Sequence, residues 1–280
     1  MPSLNEGILG NVAVPLPATK AEQEAIAEAL SDADALIESL QQLIAKKRQI
    51  KQGAMQALLT GQQRLPGYTG AWIEVTLGDL GKCHRGVSYN PDADLTAFDT
   101  KSSVRLLRSN NVQDAKIVFA DVQYVNSSRV SSDQQLRDGD ILICMANGSR
   151  ELVGKAGSFA SRDGFGYTFG AFMSAFRPHQ DVGSKEFAFY LFQTEAYRNH
   201  ISILLAGSSI NNLTPTSIEA LSISVPESED EQTAIAAVLS DMDAEITALE
   251  ARLSKTREIK QGMMQALLTG AIRLPLTEAA

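Results

Sequence analysis

The sequence predicts an α+β protein in which one α+β block is held between two long helical arms. Three observations carry this. IKQGAMQALLTG at residues 50–61 returns as IKQGMMQALLTG at 259–270, an offset of 209 residues from Gly53 to Gly262, and an internal repeat dictates architecture before any local pattern does. Ahead of each copy, apolar residues recur at alternating spacings of four and three. Between the copies the period shortens to strand-like runs punctuated by turn residues.

Taken in chain order, a strand-like lead-in occupies 1–17. Leu4, Leu9, Val12, Val14 and Leu16 align at the repeat offset with Leu213, Ile218, Leu221, Ile223 and Val225, an alternating pattern that ends at a proline turn. The first helical region, 18–66, opens on a capping box, Thr19 to Glu22, and the second copy has Ser228 to Glu231 at the same offset. Behind these caps come Ile26, Leu30, Ala33, Ile37, Leu40 and Ile44, and then Ile235, Leu239, Met242, Ile246, Leu249 and Leu253, which is a coiled-coil seam twice over. The next seam positions are Lys47 and Lys51, and Thr256 and Lys260, so the apolar stripe shifts to Ile50, Met55, Leu58 and Leu59, and to Ile259, Met264, Leu267 and Leu268, where the helices should repack against something else. Gly61 and Gly270 are helix stops, with Pro66 and Pro275 beyond. A helix over 22–60 spans about 58 Å at ~1.5 Å per residue. Gly53 and Gly262 fall inside the helices, either tolerated after duplication or marking a close approach of a helix or partner.

The block at 67–212 has strand-like runs at 72–80, 104–107, 116–125, 140–145 and 172–176 and one helix near 184–205. The second helical region covers 213–275, with its long helix from about 229, and 276–280 is a tail.

A chain of 280 residues with 44% hydrophobic content suits about two domains with a real core. Its start lacks the basic region of a signal peptide, and no apolar run approaches ~20 residues, so no membrane partner is expected. Cys83 and Cys144 are the only cysteines, without CxxC spacing, which excludes a disulfide framework and points to a cytoplasmic setting. The net charge of −8 is unevenly spread: 67–212 holds 14 Lys/Arg against 15 Asp/Glu, whereas the chain from Leu213 holds 5 against 11. The acidity therefore lies mostly in the second repeat, and whole-chain charge says little against a nucleic-acid partner.

No catalytic constellation is present. GSRELVGK at 148–155 imitates a phosphate loop but has five residues between its glycines rather than four, and Ala156 where a Mg²⁺-binding hydroxyl belongs. Asn90-Pro91-Asp92 lacks the aromatic ending of the Asn/Asp-Pro-Pro-Tyr motif used by amino-methyltransferases. His84, His179 and His200 have no metal-ligand spacing, Cys83-His84 has no second pair, and no GxSxG occurs. No metal, cofactor or enzymatic activity is expected in this chain.

The residues resemble the specificity subunits of type I restriction-modification systems, in a half-length form with one target recognition domain. The marks are Trp72 with TLGDL at 76–80, LLRSNNV at 106–112, GDILI at 139–143 with Gly154-Lys155, SSINNL at 208–213, Glu231-Gln232 and LLTG at 267–270. The resemblance spans residues 4–275. It implies a non-catalytic subunit that reads double-stranded DNA through its target recognition domain and holds methyltransferase subunits on helical regions pairing as an antiparallel coiled coil. Those partners use S-adenosylmethionine to methylate adenine, and a restriction subunit can join them. A full-length relative has two recognition domains for a bipartite target, whereas this sequence has both helical regions around one. Two copies, or this chain with a separate half-subunit, would supply two readers, and helices of about 58 Å exceed one DNA turn of ~34–36 Å.

The DNA contacts are expected first from Arg105, Arg108, Ser109, Asn110 and Asn111, because Arg pairs with guanine edges or phosphates and Asn with adenine. A second polar loop carries Asn147, Ser149, Arg150 and Lys155, and Asn211 and Asn212 either contact phosphate or begin the turn into the second repeat. Lys46, Lys47, Arg48 and Lys51 are a solvated helix face that could attract phosphate. Ile26, Leu30, Ile37, Leu40, Ile44, Ile235, Leu239, Met242, Ile246, Leu249 and Leu253 are the expected coiled-coil interface. A different reading of the same residues is an interaction protein that captures methyltransferase, even as an inhibitor, without a competent reader.

Overall fold

A computed structural model describes residues 16–179, 184–207 and 211–274. In chain order the elements are α1 (Lys20–Leu59), β1 (Trp72–Thr76), α2 (Leu77–Leu80), β2 (Gly81–Arg85), α3 (Pro91–Asp94), β3 (Leu95–Thr96), β4 (Ser103–Leu107), β5 (Val112–Gln113) and β6 (Lys116–Ile117). There follow β7 (Gln123–Asn126), β8 (Ile141–Cys144), β9 (Ala156–Ser158), β10 (Tyr167–Phe169), β11 (Met173–Pro178), α4 (Lys185–Leu191), α5 (Glu195–Ala206), α6 (Pro215–Glu219), β12 (Ser222–Pro226) and α7 (Glu229–Leu268). The chain divides into two compact units, one holding residues up to Lys51 and from Asp241, the other Gln52–Ser240. Most of the lead-in, including Leu4, Leu9, Val12 and Val14, and the tail at 276–280 lie outside the described residues.

In the first unit, α1 and α7 run antiparallel as a coiled coil. Lys47 pairs with Glu245 at 2.7 Å, Arg48 with Glu250 at 2.7 Å and Lys51 with Asp243 at 2.6 Å, while Lys260 reaches Asp34. Residue 34 meets 260 whereas residue 51 meets 243, so positions advance in opposite directions along the two helices, which only an antiparallel pair allows. Lys51–Asp243 and Lys260–Asp34 are the same pair seen from the two repeats, because the offset of 209 carries 51 to 260 and 34 to 243. Lys47, Arg48 and Lys51 are therefore not an open cationic face; the acidic second repeat neutralises them, and only Lys46 of that run lacks a carboxylate among the described residues. On the expected interface Ile26, Leu40, Ile44 and Ile246 are buried and Leu30, Ile37, Met242, Leu249 and Leu253 half-buried; Ile235 and Leu239 are buried in the second unit. The polar seam position Thr256 is buried too, its hydroxyl donating to the Arg252 carbonyl.

The capping boxes are only half formed. The amides of Glu22 and Glu231 donate to Thr19 and Ser228, but both carboxylates turn away from the cap. In the first unit Glu22 accepts from Arg273, whose guanidinium holds that carboxyl below its ordinary value, and in the second unit Glu231 accepts from Arg64 at 2.6 Å. These two pairs also map onto each other at the repeat offset, so each unit carries one copy of the same helix-end junction.

A Cβ added at Gly53 or Gly262 would meet nothing within 4 Å, so neither glycine marks a close approach within the chain. Gly53→Ala and Gly262→Ala are each expected to stabilise the protein by about 1 kcal/mol through helix propensity, read as a higher denaturation midpoint at unchanged slope. A loss in either variant would show that the glycine is required.

The second unit contains three sheets, ordered β1-β12, β10-β4-β7-β3 and β2-β11-β8-β9-β6-β5. Its reach exceeds the 67–212 block because β1, at the start of the block, pairs antiparallel with β12, beyond its end, Trp72 against Pro226, and the pairing closes it. Leu107, Leu142, Cys144, Phe169, Met173 and Ala175 form the centre of its core. The expected strand at 72–80 stops at Thr76, whose hydroxyl caps Asp79 and starts a helical turn. The expected strand at 116–125 is interrupted because the Asn111 carboxamide takes the carbonyls of Val118 and Ala120, each at 2.8 Å. The expected helix at 184–205 is two, since Ser184 and Thr194 each cap a separate start. Both thiols are buried, and burial beside Glu219 pushes Cys83 up to about 12, which fits an inert packing role. Among the described residues no helix is long and apolar enough to cross a membrane.

Candidate nucleic-acid interface

Six segments of the second unit converge on one concavity of roughly 1120 Å³. They contribute Ser88, Tyr89 and Pro91; Arg108, Ser109 and Asn110 with Asp121; Ala146, Asn147 and Gly148; Gly170, Ala171 and Phe172; and Asn211. Main-chain bonds join the walls. Gly86 N donates to Met173 O at 3.3 Å and Val87 N to Phe169 O at 2.8 Å, while Gly170 N reaches Leu107 O at 3.0 Å. Met145 and Ala146 both donate to the Phe172 carbonyl, at 2.9 and 3.2 Å, and Leu213 N donates to Met145 O at 2.8 Å. The rim is therefore built from loops whose backbones are mutually satisfied.

The side chains inside are mainly neutral hydrogen-bonding groups. Asn147 Nδ2 donates to Ser109 Oγ at 3.3 Å, tying two of the loops together, and Asn211 Nδ2 reaches Gly148 O at 3.4 Å. Arg108 is anchored at one nitrogen: Nη2 donates to both the main-chain and side-chain oxygens of Asp121, each at 3.0 Å. Asn110 Nδ2 shares that carboxylate at 3.2 Å. Among the described residues Arg108 and Asp121 are the only charged ones in the lining, so it carries almost no net charge and is suited to hydrogen-bond recognition rather than to bulk attraction of phosphate.

Of the residues singled out in the sequence, Arg108, Ser109, Asn110, Asn147 and Asn211 come together here. Asn111 does not face the opening. It is fully buried, accepts from Arg108 N at 2.9 Å and shapes the loop, so a base contact from it is ruled out by burial. Arg105 lies apart, held by Asp99 at 3.1 Å and Asp163 at 2.9 Å, with its guanidinium 3.5 Å from the centre of the Phe165 ring. The Tyr167 and Ser161 hydroxyls hold the Asp163 carboxyl down at about 2, which keeps that ion pair charged throughout the neutral range. Arg150 Nη2 donates to Ser202 O at 3.2 Å, and Lys155 lines a separate depression with Glu151 and Arg198. Ser149 donates its amide to Asn147 Oδ1 at 3.0 Å, and Asn212 bridges to Ala146, so both support the loop carrying Asn147. Sequence reasoning missed Tyr89, Asp121 and Phe172. The only signal for Phe172 was a large apolar residue directly after Gly170-Ala171, at the turn between two strands.

The profile of the type I restriction modification DNA specificity domain matches residues 70–261, which takes in every wall of the concavity and most of α7. The chain belongs to this family. It is 33% identical over 208 residues to the StySPI specificity subunit of Salmonella potsdam and 32% identical over 207 to the EcoKI specificity subunit of Escherichia coli K12. Each alignment covers 74% of this chain and 44% of the relative, so the chain spans about half the length of these curated relatives. Against the MjaVIII specificity subunit of Methanocaldococcus jannaschii the identity is 25% over 288 residues, with 98% of this chain covered and 65% of that one. The crystal structure of the type I restriction-modification S subunit from M. genitalium shares the fold at a TM-score of 0.63 and 16% identity, covering 94% of this chain and 65% of that one. In this chain the concavity lies where the β2–β3, β4–β5, β6–β7, β8–β9 and β10–β11 connections and the approach to α6 meet.

Proposed function

We propose that this chain is the DNA-reading and scaffolding subunit of a type I restriction-modification complex, without catalysis of its own. Its partners would be double-stranded DNA, a methyltransferase subunit that brings S-adenosylmethionine for adenine methylation, and a restriction subunit. The observation that carries this reading is the concavity itself: an arginine, three asparagines, an aspartate and exposed aromatic carbon on rigid loops, with little net charge. Arginine pairs with guanine edges, asparagine with adenine and aspartate with the cytosine amine, so the lining matches base edges better than backbone.

The test is selection from a random duplex library by the complex of this chain with a methyltransferase subunit, followed by methylation of the selected site. Arg108→Ala is expected to weaken binding to the selected duplex by about tenfold to a hundredfold, as loss of a bidentate base contact does, while unselected duplex binds as before. Unchanged site preference in Arg108→Ala would remove that assignment. Stable complex formation with no site-specific methylation would instead support the methyltransferase-capture reading.

A second reader is part of the proposal. At the Arg64–Glu231 junction Met55 and Leu59 are 5% and 2% exposed, but their counterparts Met264 and Leu268 at the Glu22–Arg273 junction are 36% and 47% exposed. Likewise a Cβ at Gly61 would touch the Trp72 ring at 3.2 Å, whereas one at Gly270 would meet nothing. Among the described residues the Glu22–Arg273 junction keeps the apolar pattern without its cover, and we assign a second copy of this chain to it, giving the two readers a bipartite target requires. Light scattering should give a dimer with methyltransferase subunit present, and Leu268→Glu should reduce it to one copy. A monomer under every condition overturns the pairing.

A further inference from the structure

We propose that Phe172 is a base-stacking side chain: its ring enters the DNA base stack at the site read by the concavity. This rests on the DNA-reading function and adds a contact of a different kind, with the π face of a nucleobase in place of its hydrogen-bonding edge.

Phe172 stands out from the two strands that its turn joins. Phe169, Met173, Ala175 and Phe176 around it are buried, yet Phe172 is 71% exposed at the rim of the concavity. Phe165 stacks on the Arg105 guanidinium and Phe119 packs edge-on against Phe159, while Phe98, 78% exposed, lies away from the concavity lining. Among the described residues Phe172 has neither a ring nor a cation partner, so its face is unused.

The backbone beneath the ring is fixed. Its carbonyl accepts from two successive amides, Met145 and Ala146, and Met173 N closes the turn onto Gly170 O at 2.8 Å. Gly170 is in turn bonded to Leu107 O. Only the two side-chain torsions remain free, so the ordering cost of inserting a phenyl ring is small. Apolar residues that enter base steps from a rigid turn unstack them and widen the contact for neighbouring polar groups, and here those neighbours are Arg108, Asn110 and Asn147. An exposed aromatic ring fixed beside base-edge hydrogen-bonding groups has the chemistry of a stacking platform.

The experiment uses the full chain in complex with a methyltransferase subunit and the duplex that the wild-type complex selects from a random library. Phe172→Ala should bind the selected duplex about tenfold to a hundredfold more weakly, the usual span for losing one stacked base, with unselected duplex changed less than about twofold on that same basis. Phe172→Trp should restore binding. With 2-aminopurine placed at each position in turn, one step should brighten on binding by the wild type and stay dark with Phe172→Ala. Thermal melting should change little, since the residue is 71% exposed. Equal binding by Phe172→Ala and wild type to a genuinely selected duplex overturns the stacking role alone. Weakened assembly with the methyltransferase subunit, at unchanged DNA binding, also overturns it and makes the ring a protein contact. A complex that selects no site overturns the DNA-reading function, and this inference with it.

Discussion

Gly86→Ala is expected to destabilise the recognition unit by about 3 kcal/mol and to abolish site selection. A Cβ at Gly86 would lie 2.0 Å from the Gly170 carbonyl oxygen, 2.5 Å from its carbon and 2.7 Å from the Phe169 oxygen. All three are backbone atoms, which cannot swing aside as a side chain would, so the 86–87 segment must separate from the end of β10. Separation breaks the Val87–Phe169 hydrogen bond of 2.8 Å and lifts Val87, fully buried, out of its place. Overpacking of this kind costs about 1–3 kcal/mol, and more when hydrogen bonds are lost with it. For a unit of this size that is a fall in melting temperature of about 6–12 °C. The displaced strands carry Tyr89 on one side and Phe172 on the other, so the concavity opens even in molecules that remain folded. The controls are glycines with room around them: Gly148→Ala, where nothing lies within 4 Å, should melt as the wild type does. A Gly86→Ala protein of native stability and selectivity would show that the two segments are not in contact.

The helical arms were legible in detail because their signals are local and repeated. The heptad spacing and Gly61 place a helix over 22–60, and α1 is Lys20–Leu59. What the caps do was not legible. Glu22 and Glu231 have the spacing of a capping box, but their carboxylates go to arginines far along the chain, and no local window contains Arg273 or Arg64. The same holds for the site. Polar loops nominate Arg108 and Asn147, yet only the sheet order, in which β10 lies beside β4 and β11 beside β8, brings them to one rim. Asn111 reads as an interface residue from composition and is a buried clamp in the fold, because an asparagine that satisfies backbone carbonyls and one that would read adenine are the same in a sequence.

Arg177→Met is expected to cost about 3–5 kcal/mol, the range for stranding a buried charge. Asp140 is 2% exposed in its side chain and Arg177 15%, and they meet through Nε to Oδ1 at 2.8 Å and Nη2 to Oδ2 at 2.7 Å. The carboxylate hydrogen bonds hold the Arg177 pKa above its ordinary value. Without the guanidinium, Asp140 keeps one main-chain donor, Arg137 N at 2.9 Å, and no counter-charge within the pair. The position is structurally critical: Gly139 adopts φ of +91°, Asp140 follows, and β8 then runs through the core with all four residues buried. This is the physical content of the Gly-Asp preceding the apolar run. A second variant separates the pair from the residue. Asp140→Leu with Arg177→Met removes both charges, and replacing a buried pair by apolar groups is close to neutral where volumes match, so the double variant should recover most of the loss. A double variant no more stable than Arg177→Met would mean that Arg177 stabilises the unit through packing and its 2.8 Å bond to Gln135 O, not through the Asp140 charge.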